Sequence, residues 1–388
     1  MQATEFRDHF PVFSDSVHLC SCSEGALSDR VMVAMSEFMT SWRIHGAPWQ
    51  YWMSEVDRAR LAFAQLIHAD PKDVATVSCA SEGAFQVVSA QSFIGSKKVI
   101  LTNDLEFPSV AHVWLAAESR GASVQFISDK RGLVQTEQYL DQINDEVALV
   151  STPLVSYANG LRLSVREIAE KAHRHGARVI VDAYQGAGVV PIDVEDLDCD
   201  YLVAGTLKYL LGAPGIAFLW VRPELEQPID PVLTGWFGRK EPFAFTPRVL
   251  DYAENARRFQ TGTPAIPAAF AASAGLSLIN ETNTDEVFSH VSQLAQILQD
   301  NLVDADMALY SPTDPQQRGP QVAVLTDNAD HLAEFLEQRR IFVSPRGKAI
   351  RISLHYYNNK ADLDQVLAGL VEYQRLFPGR IANTRPDS

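Results

Sequence analysis

Short apolar runs rich in β-branched residues alternate with helical patterns from about residue 74 to residue 221, and this alternation constrains the fold more than any other feature. Strands of a parallel sheet covered by helices on both faces are apolar along their whole length, because neither face meets water. The pattern therefore predicts one large α/β domain with a mainly parallel, seven-stranded sheet. The expected strands are 74–80, 97–103, 123–128, 147–155, 177–183, 201–206 and 216–221.

Two local signals refine this prediction. The segment 164–176 begins with a capping-box pattern, Ser164 followed by Glu167, and ends at Gly176, which predicts a helix. The segment 201–221 contains two apolar runs separated by glycines, and it is expected to form two strands joined by a turn.

The sequence on either side of this region predicts further helices and a second, smaller domain. Helices are expected at 27–43 and 54–69, around an aromatic loop. After the predicted sheet, an irregular Pro-rich stretch leads to an apolar helix at 264–279, and helices then alternate with short strands. We therefore expect residues 1–250 to contain an N-terminal segment and the large α/β domain, and residues 251–388 to form a smaller α+β domain.

Composition and charge argue against several classes of partner. The formal net charge of −15 disfavours nucleic acids and anionic membranes, since both reward a basic surface. No apolar run approaches the roughly 18 residues of a membrane span, and the first residues lack the apolar core of a signal peptide, so a cytoplasmic protein is expected. The four cysteines do not have the spacing of a disulfide framework or a zinc site, and no metal is expected.

Three features meet at the predicted carboxyl edge of the sheet. Lys208 lies in an apolar run, where burial disfavours the ammonium form. Asp182 ends the preceding strand, and the segment 79–83 opens a helix whose free N–H groups favour a phosphate. Each feature alone has a structural explanation. Together they are the parts that pyridoxal phosphate requires: a lysine for a Schiff base, an acid beside the pyridine nitrogen and an anion site.

Seven segments, in the same order, resemble the class V aminotransferase superfamily of fold-type I pyridoxal-phosphate enzymes, which includes cysteine desulfurases, selenocysteine lyases, kynureninases and isopenicillin N epimerase-like proteins. The segments are ASEGAF (80–85), LEFPSV (105–110), VSYANG (155–160), VDAYQGAGVVPIDV (181–194), GTLKYLLGAPG (205–215), RFQTGTPAIP (258–267) and IRISLHYYNNKADLDQVL (350–367). The resemblance covers nearly the whole chain. It implies a fold-type I architecture and a homodimer with shared active sites.

The resemblance also implies roles for the residues that match the family's motifs. Lys208 would form the Schiff base, Asp182 would bind the pyridine nitrogen and Gln185 would contact the ring hydroxyl. The phosphate would be held by four further groups: Ser81, the amide of Glu82, Thr206 and, from a neighbouring subunit, Thr263.

Three more positions match substrate or cofactor contacts of the family. Phe107 lies where relatives place a ring that stacks on the cofactor, and Tyr157 occupies a cofactor-contacting position that is often Asn. Arg351 matches the arginine that binds the substrate carboxylate, a task that suits a planar guanidinium. Strand alternation alone would instead place Arg351, Ser353 and His355 on a solvated face.

The resemblance predicts lyase-type or aminotransferase chemistry at the α-amino group of an amino acid. Cysteine desulfurases carry a mobile cysteine shortly before the carboxylate-binding arginine, whereas residues 342–353 contain none, so desulfuration through a persulfide is not expected. Tyr157 and His355 are candidate acid or base groups. The alternatives are an isopenicillin N epimerase-like epimerase, a non-catalytic binding module, and a kynureninase-like hydrolase in which the aromatic loop at 45–53 accommodates a bulky substrate.

Overall fold

The computed structural model describes residues 1–93, 95–223, 225 and 230–382. Its helices, numbered along the chain, are α1 (Ala3–Asp8), α2 (Asp29–His45), α3 (Trp49–Leu66), α4 (Ala80–Ser89), α5 (Pro108–Ala116), α6 (Thr136–Gln142), α7 (Val165–Arg174), α8 (Val194–Leu197), α9 (Ile266–Asn280), α10 (Thr284–Asp304), α11 (Ala329–Glu337) and α12 (Lys360–Leu376). Its strands are β1 (Val17–His18), β2 (Val74–Val77), β3 (Val99–Asn103), β4 (Ser123–Ile127), β5 (Val147–Pro153), β6 (Arg178–Asp182), β7 (Tyr201–Gly205), β8 (Ala217–Val221), β9 (Gln321–Leu325), β10 (Ile341–Phe342), β11 (Ser344–Arg346) and β12 (Ala349–Ser353).

A seven-stranded sheet with the order β2-β8-β7-β6-β5-β3-β4 forms the centre of the α/β part of the molecule. Strands β3 to β7 pair in parallel, whereas β8 runs antiparallel to both β2 and β7. In β6, Val179 and Val181 belong to one hydrophobic cluster and Ile180 belongs to another, so both faces of the sheet are buried. The predicted α/β class, the mainly parallel sheet and the two-strand structure of 201–221 are confirmed.

The C-terminal part contains a smaller antiparallel sheet, β11-β12-β9, packed with helices α10 to α12. Two sets of contacts join elements on either side of the domain boundary that the sequence predicts near residue 250. Strand β1 pairs in parallel with β10, and α9 packs against α2 and α3. The domain boundary itself remains a prediction.

Several local predictions differ from the structure. Ser164 makes no capping hydrogen bond at the start of α7, so the predicted capping box does not form. Helix α3 begins at Trp49, which places most of the aromatic residues of the expected loop in its first turn. Both faces of β12 are buried, so the solvated face that alternation alone predicted is wrong. Within the described part of the chain, no helix is both long and apolar enough to cross a membrane.

Candidate active site

Strands β3, β5, β6 and β7 end at one edge of the sheet, and the segments that follow them enclose a cavity of about 250 Å³. This is the edge at which open α/β sheets bind ligands. The cavity is lined by six residues that the sequence predicted for the site: Ser81, Phe107, Tyr157, Asp182, Gln185 and Lys208. It is also lined by Glu106 and Tyr184, which no sequence motif assigned to it.

Lys208 follows β7, is partly buried and lies against two aromatic rings. Its Nζ lies 4.4 Å from the ring centre of Tyr184 and 5.3 Å from that of Phe107. Burial lowers the pKa of Lys208 to about 8, although the nearby Asp182 acts in the opposite direction. A larger share of this amine is therefore neutral near pH 7 than in a free lysine, as a nucleophile or a base requires.

Asp182 and Glu106 form a pair of buried carboxyl groups. The Tyr184 N–H donates to Asp182 Oδ1 over 2.9 Å, and burial raises the pKa of Asp182 while Lys208 opposes this shift. Glu106 accepts hydrogen bonds from Ser151 Oγ at 2.8 Å and from the Phe107 N–H at 2.9 Å. Burial and the charge of Asp182 raise the pKa of Glu106 to about 8. Because two adjacent buried carboxyls do not both ionise readily, burial favours the state in which one of the two keeps its proton.

The N-terminal segment 20–25 packs against two residues that line the cavity, Gln185 and Leu207. Gln185 Nε2 donates to the Cys22 carbonyl at 3.0 Å, and the Gly25 N–H donates to the Leu207 carbonyl at 3.0 Å. A Cβ at Gly25 would overlap the Lys208 carbonyl oxygen, so this close approach requires glycine. Gln185 Oε1 is buried and has no hydrogen-bond partner among the described residues. This contact was not predicted, because no local pattern reports a contact between segments so far apart in sequence.

Arg351 is buried on β12, with 1% of its surface exposed. Its Nη1 donates to the Tyr157 carbonyl at 2.8 Å, and its Nη2 donates to Ser344 Oγ at 2.7 Å and to Ser23 Oγ at 3.1 Å. Among the described residues its Nε has no partner, and no carboxylate forms an ion pair with it. A buried guanidinium without a counter-charge suits an anionic ligand.

The first turn of α4 contributes to the lining of the cavity. Ser81 lines the cavity, whereas the Glu82 side chain turns away: its Oε2 accepts from the Ser78 N–H at 2.7 Å, and its Oε1 accepts from Thr261 Oγ1 at 3.1 Å. The predicted role of Glu82 is to bind the phosphate through its main-chain N–H, and these side-chain contacts leave that N–H unaffected. Free N–H groups at a helix start favour a phosphate here.

Like Glu82, the predicted phosphate ligands Thr206 and Thr263 do not line this cavity. Thr206 is fully buried, and its hydroxyl lies 2.7 Å from the Ala213 carbonyl, to which it donates, and 3.2 Å from the Ile216 carbonyl. These contacts argue against its assignment as a phosphate ligand. Thr263 lines a separate cavity of about 180 Å³, which is compatible with a role in a neighbouring subunit's site.

The other candidate groups have structural roles. His355 Nδ1 accepts from the Tyr356 N–H at 2.8 Å, and its Nε2–H donates to the Tyr209 carbonyl at 3.0 Å. Burial lowers the pKa of His355 to about 4, so it stays neutral and is not a proton donor for the cavity. Trp52 is buried and donates to Ser41 Oγ at 3.0 Å, and the aromatic residues of 45–53 do not line the cavity.

A mainly parallel sheet with a buried lysine, a buried aspartate and a helix start at one carboxyl edge defines a pyridoxal-phosphate type of site. The chain belongs to the class-V aminotransferase family, whose model matches residues 26–366. It is 37% identical to the uncharacterized aminotransferase YcbU of Bacillus subtilis, over 92% of this chain and 95% of that protein. A kynureninase of Deinococcus radiodurans is 26% identical, over 85% and 83% of the two chains.

The fold is similar to that of a cysteine desulfurase from Thermococcus onnurineus NA1, determined in its apo form. The TM-score is 0.86 at 22% identity, with 96% of this chain and 98% of that chain covered. The predicted family, fold type and cofactor are confirmed, and the protein is an enzyme.

The residues around the cavity fit pyridoxal phosphate. The unpartnered Gln185 Oε1 requires a hydrogen-bond donor, and a ring hydroxyl would supply one. Lys208 and Asp182 provide a basic amine and a carboxylate in the same cavity, and the start of α4 provides the anion site.

Proposed function

We propose that this enzyme binds an amino acid through its α-carboxylate and removes the proton from Cα, with pyridoxal phosphate as cofactor. Arg351 carries the proposal, because it is a buried guanidinium beside Tyr157 whose Nε has no partner within the described residues. A ligand carboxylate would satisfy this donor in a charge-assisted hydrogen bond. An amine without a carboxylate would leave it unpaired.

Lys208 is the base in this proposal. Its lowered pKa allows the amine to accept a proton near neutral pH, and the rings of Phe107 and Tyr184 keep water from surrounding it. Asp182 would hold a positive charge on the ring nitrogen, and Glu106 is the second buried carboxyl group beside it. When bound, the cofactor withdraws electrons from Cα and so makes this proton easier to remove.

The reaction that follows is lyase-type chemistry or transamination. The family and the relative YcbU support transamination, and the likeness to a kynureninase supports cleavage of a side-chain bond. In both cases Lys208 moves the proton, and the two reactions differ in which bond breaks next.

We also propose that this enzyme does not use a persulfide on the hairpin before Arg351, where cysteine desulfurases carry their mobile cysteine. Residues 344–353 form the β11–β12 hairpin, in which Ser344 accepts from Arg351 and no cysteine is present. Cys20 lies next to this hairpin, since its main chain forms an isolated parallel β-bridge with Ser353. Burial raises the pKa of Cys20 to about 12, which keeps the thiol protonated and poorly nucleophilic.

The experiment is a panel of amino acids, together with the amines that lack their α-carboxylate, in deuterated water. We expect deuterium at Cα only for the amino acids. A keto acid among the products would identify transamination, and a side-chain fragment would identify a lyase. Free cysteine that yields alanine, with its sulfur retained on the protein, would overturn the proposal on persulfide chemistry.

The Arg351→Ala variant tests the carboxylate site in the same panel. Loss of a charge-assisted pair should raise KM roughly tenfold to a hundredfold for every reactive amino acid. Arg166→Ala, which removes an exposed arginine paired with Glu170, is the control and should leave KM unchanged. An unchanged KM in Arg351→Ala would show that the carboxylate is not bound there.

A homodimer with shared active sites completes the proposal. Thr263 is exposed and lies outside the cofactor cavity of its own subunit, which supports a role in the site of a partner. Apolar residues on the outer side of α2 are each more than half exposed, and a second copy would cover such a surface: Met32, Val33, Met39, Trp42 and Ile44.

A further inference from the structure

Tyr184 takes up space that a neighbouring residue leaves free. Its N–H is bound to Asp182, and its ring passes under the Lys208 Nζ toward the end of β7. A Cβ at Gly205, the last residue of β7, would overlap the Cε2, the Cζ and the hydroxyl oxygen of Tyr184. The phenol therefore stands where a side chain at position 205 would stand.

This position is at the α4 end of the cavity. Tyr184 lines the same cavity as Cys79, the N-cap of α4, and Ser81 in the first turn of that helix. Helix α4 lies directly on β7, since a Cβ at Gly83 would lie 2.8 Å from the Val203 side chain. The Tyr184 hydroxyl thus lies close to the helix start at which the phosphate is expected.

The Tyr184 hydroxyl is available as a donor. Burial, followed by the charges of Asp182 and Cys79, raises the pKa of Tyr184 to about 12, so the phenol keeps its proton at neutral pH. No acceptor among the described residues takes its proton in a hydrogen bond. The end of β7 offers little else, because Gly205 has no side chain and the Thr206 hydroxyl donates to Ala213.

We propose that Tyr184 donates a hydrogen bond to the phosphate of the cofactor, in the place that the sequence predicted for Thr206. The inference rests on the proposed function in one respect, that pyridoxal phosphate is bound with its phosphate at the start of α4. It adds a specificity residue for the phosphorylated form of the cofactor, because a hydrogen bond from a neutral donor to an anion is among the stronger ones.

The test compares Tyr184→Phe with the wild type. Holoprotein is stripped of its cofactor, and the dissociation constants of pyridoxal phosphate and of pyridoxal, which lacks the phosphate, are measured by absorbance. We expect the constant for pyridoxal phosphate to rise roughly tenfold to a hundredfold, and the constant for pyridoxal to change by less than about threefold. Equal losses for both aldehydes, or no loss for either, would overturn the inference.

Failure of the wild type to bind pyridoxal phosphate would overturn the proposed function, and this inference with it. Wild-type binding combined with an unaffected Tyr184→Phe variant would overturn this inference alone. The two failures are thus distinguishable in one set of titrations.

A second set of variants keeps the inference testable if loss of the Tyr184 hydroxyl disturbs the local structure. Tyr184→Ala should weaken binding of pyridoxal phosphate, and the addition of Gly205→Ser should restore most of it, because the serine hydroxyl would occupy the vacated space. Gly205→Ser alone should weaken binding, since its Cβ would overlap Tyr184. If the double variant binds no better than Tyr184→Ala, a hydroxyl at this position is not what holds the phosphate, and the inference fails.

Discussion

Lys208 shows at the scale of a single residue how function opposes stability. Its amine is buried among aromatic rings, and burial lowers its pKa from 10.5 to about 8. Between these two values the unfolded chain binds more protons than the folded one, so stability rises with pH across this window. Below about pH 8 Lys208 is protonated in both states, and the free energy of unfolding is lowered by the full cost of burying the ammonium group.

We predict that Lys208→Met stabilises the cofactor-free protein. The variant should exceed the wild type by up to about 3 kcal/mol at pH 7, and the difference should shrink as the pH rises from 8 to 10.5. Urea unfolding at several pH values measures it. Lys130→Met, at an exposed lysine, is the control and should show no such trend. A difference for Lys208→Met that does not vary with pH would show that the buried charge is not its cause.

Asp182→Asn should separate cofactor binding from catalysis. The amide keeps the shape of the carboxylate but supplies no negative charge for the ring nitrogen, so the protein should retain the cofactor while turnover falls by roughly two orders of magnitude or more. Absorbance spectra and steady-state rates measure the two effects. Asp196→Asn, at an exposed position, should change neither. Full activity in Asp182→Asn would remove Asp182 from the mechanism.

The residues that could be predicted are those whose type and position repeat a motif. Lys208, Asp182 and Gln185 were assigned in this way, and the structure brings all three to one cavity. Tyr184 and Glu106 were not assigned, because their roles depend on space and charge supplied by other segments. The lack of a side chain at Gly205, for example, is explained only by the structure, in which the Tyr184 ring occupies that space.

At the scale of elements, the apolar strands were predictable because a run buried on both faces is visible in the sequence. The N-terminal segment was not, because its partners in the structure are β10, β12 and the loop after β7. Helix α9 was predicted from its apolar composition, but its packing against α2 and α3 was not.

Phe270 on α9 tests this packing. Its side chain is 1% exposed, and its ring centre lies 5.5 Å from that of Phe38 on α2 and 5.4 Å from that of Tyr51 on α3. Phe270→Ala should cost about 3–5 kcal/mol in the free energy of unfolding. Phe126→Ala on the edge strand β4, where the ring is 37% exposed, should cost about 1 kcal/mol or less. Equal losses measured by denaturant unfolding would show that α9 is not packed as described.

At the scale of the whole molecule, the proposed dimer would divide each site between two subunits. Its own cavity contains Lys208 and Asp182, whereas Thr263 lies in a different cavity near Glu82. If Thr263 serves the partner, each complete site requires residues from two chains, and activity depends on association.

We predict that two inactive variants restore activity when they are refolded together. Thr263→Asp places a negative charge where the partner's phosphate is expected, and Lys208→Ala removes the base. A hybrid dimer contains one intact site, so random mixing should return about a quarter of wild-type activity. Mixing Lys208→Ala with Asp182→Asn, both in the same subunit's cavity, should restore none. Absence of recovery in the first mixture would contradict shared sites.

The central claim is that Lys208 holds the cofactor covalently at this carboxyl edge. Borohydride reduction of the purified protein, followed by proteolysis and mass spectrometry, tests it most directly. We predict that the reduced cofactor is attached to the peptide that contains Lys208 and that Lys208→Ala carries no label. A label on a different lysine, or none on protein that retains its cofactor, would contradict this claim.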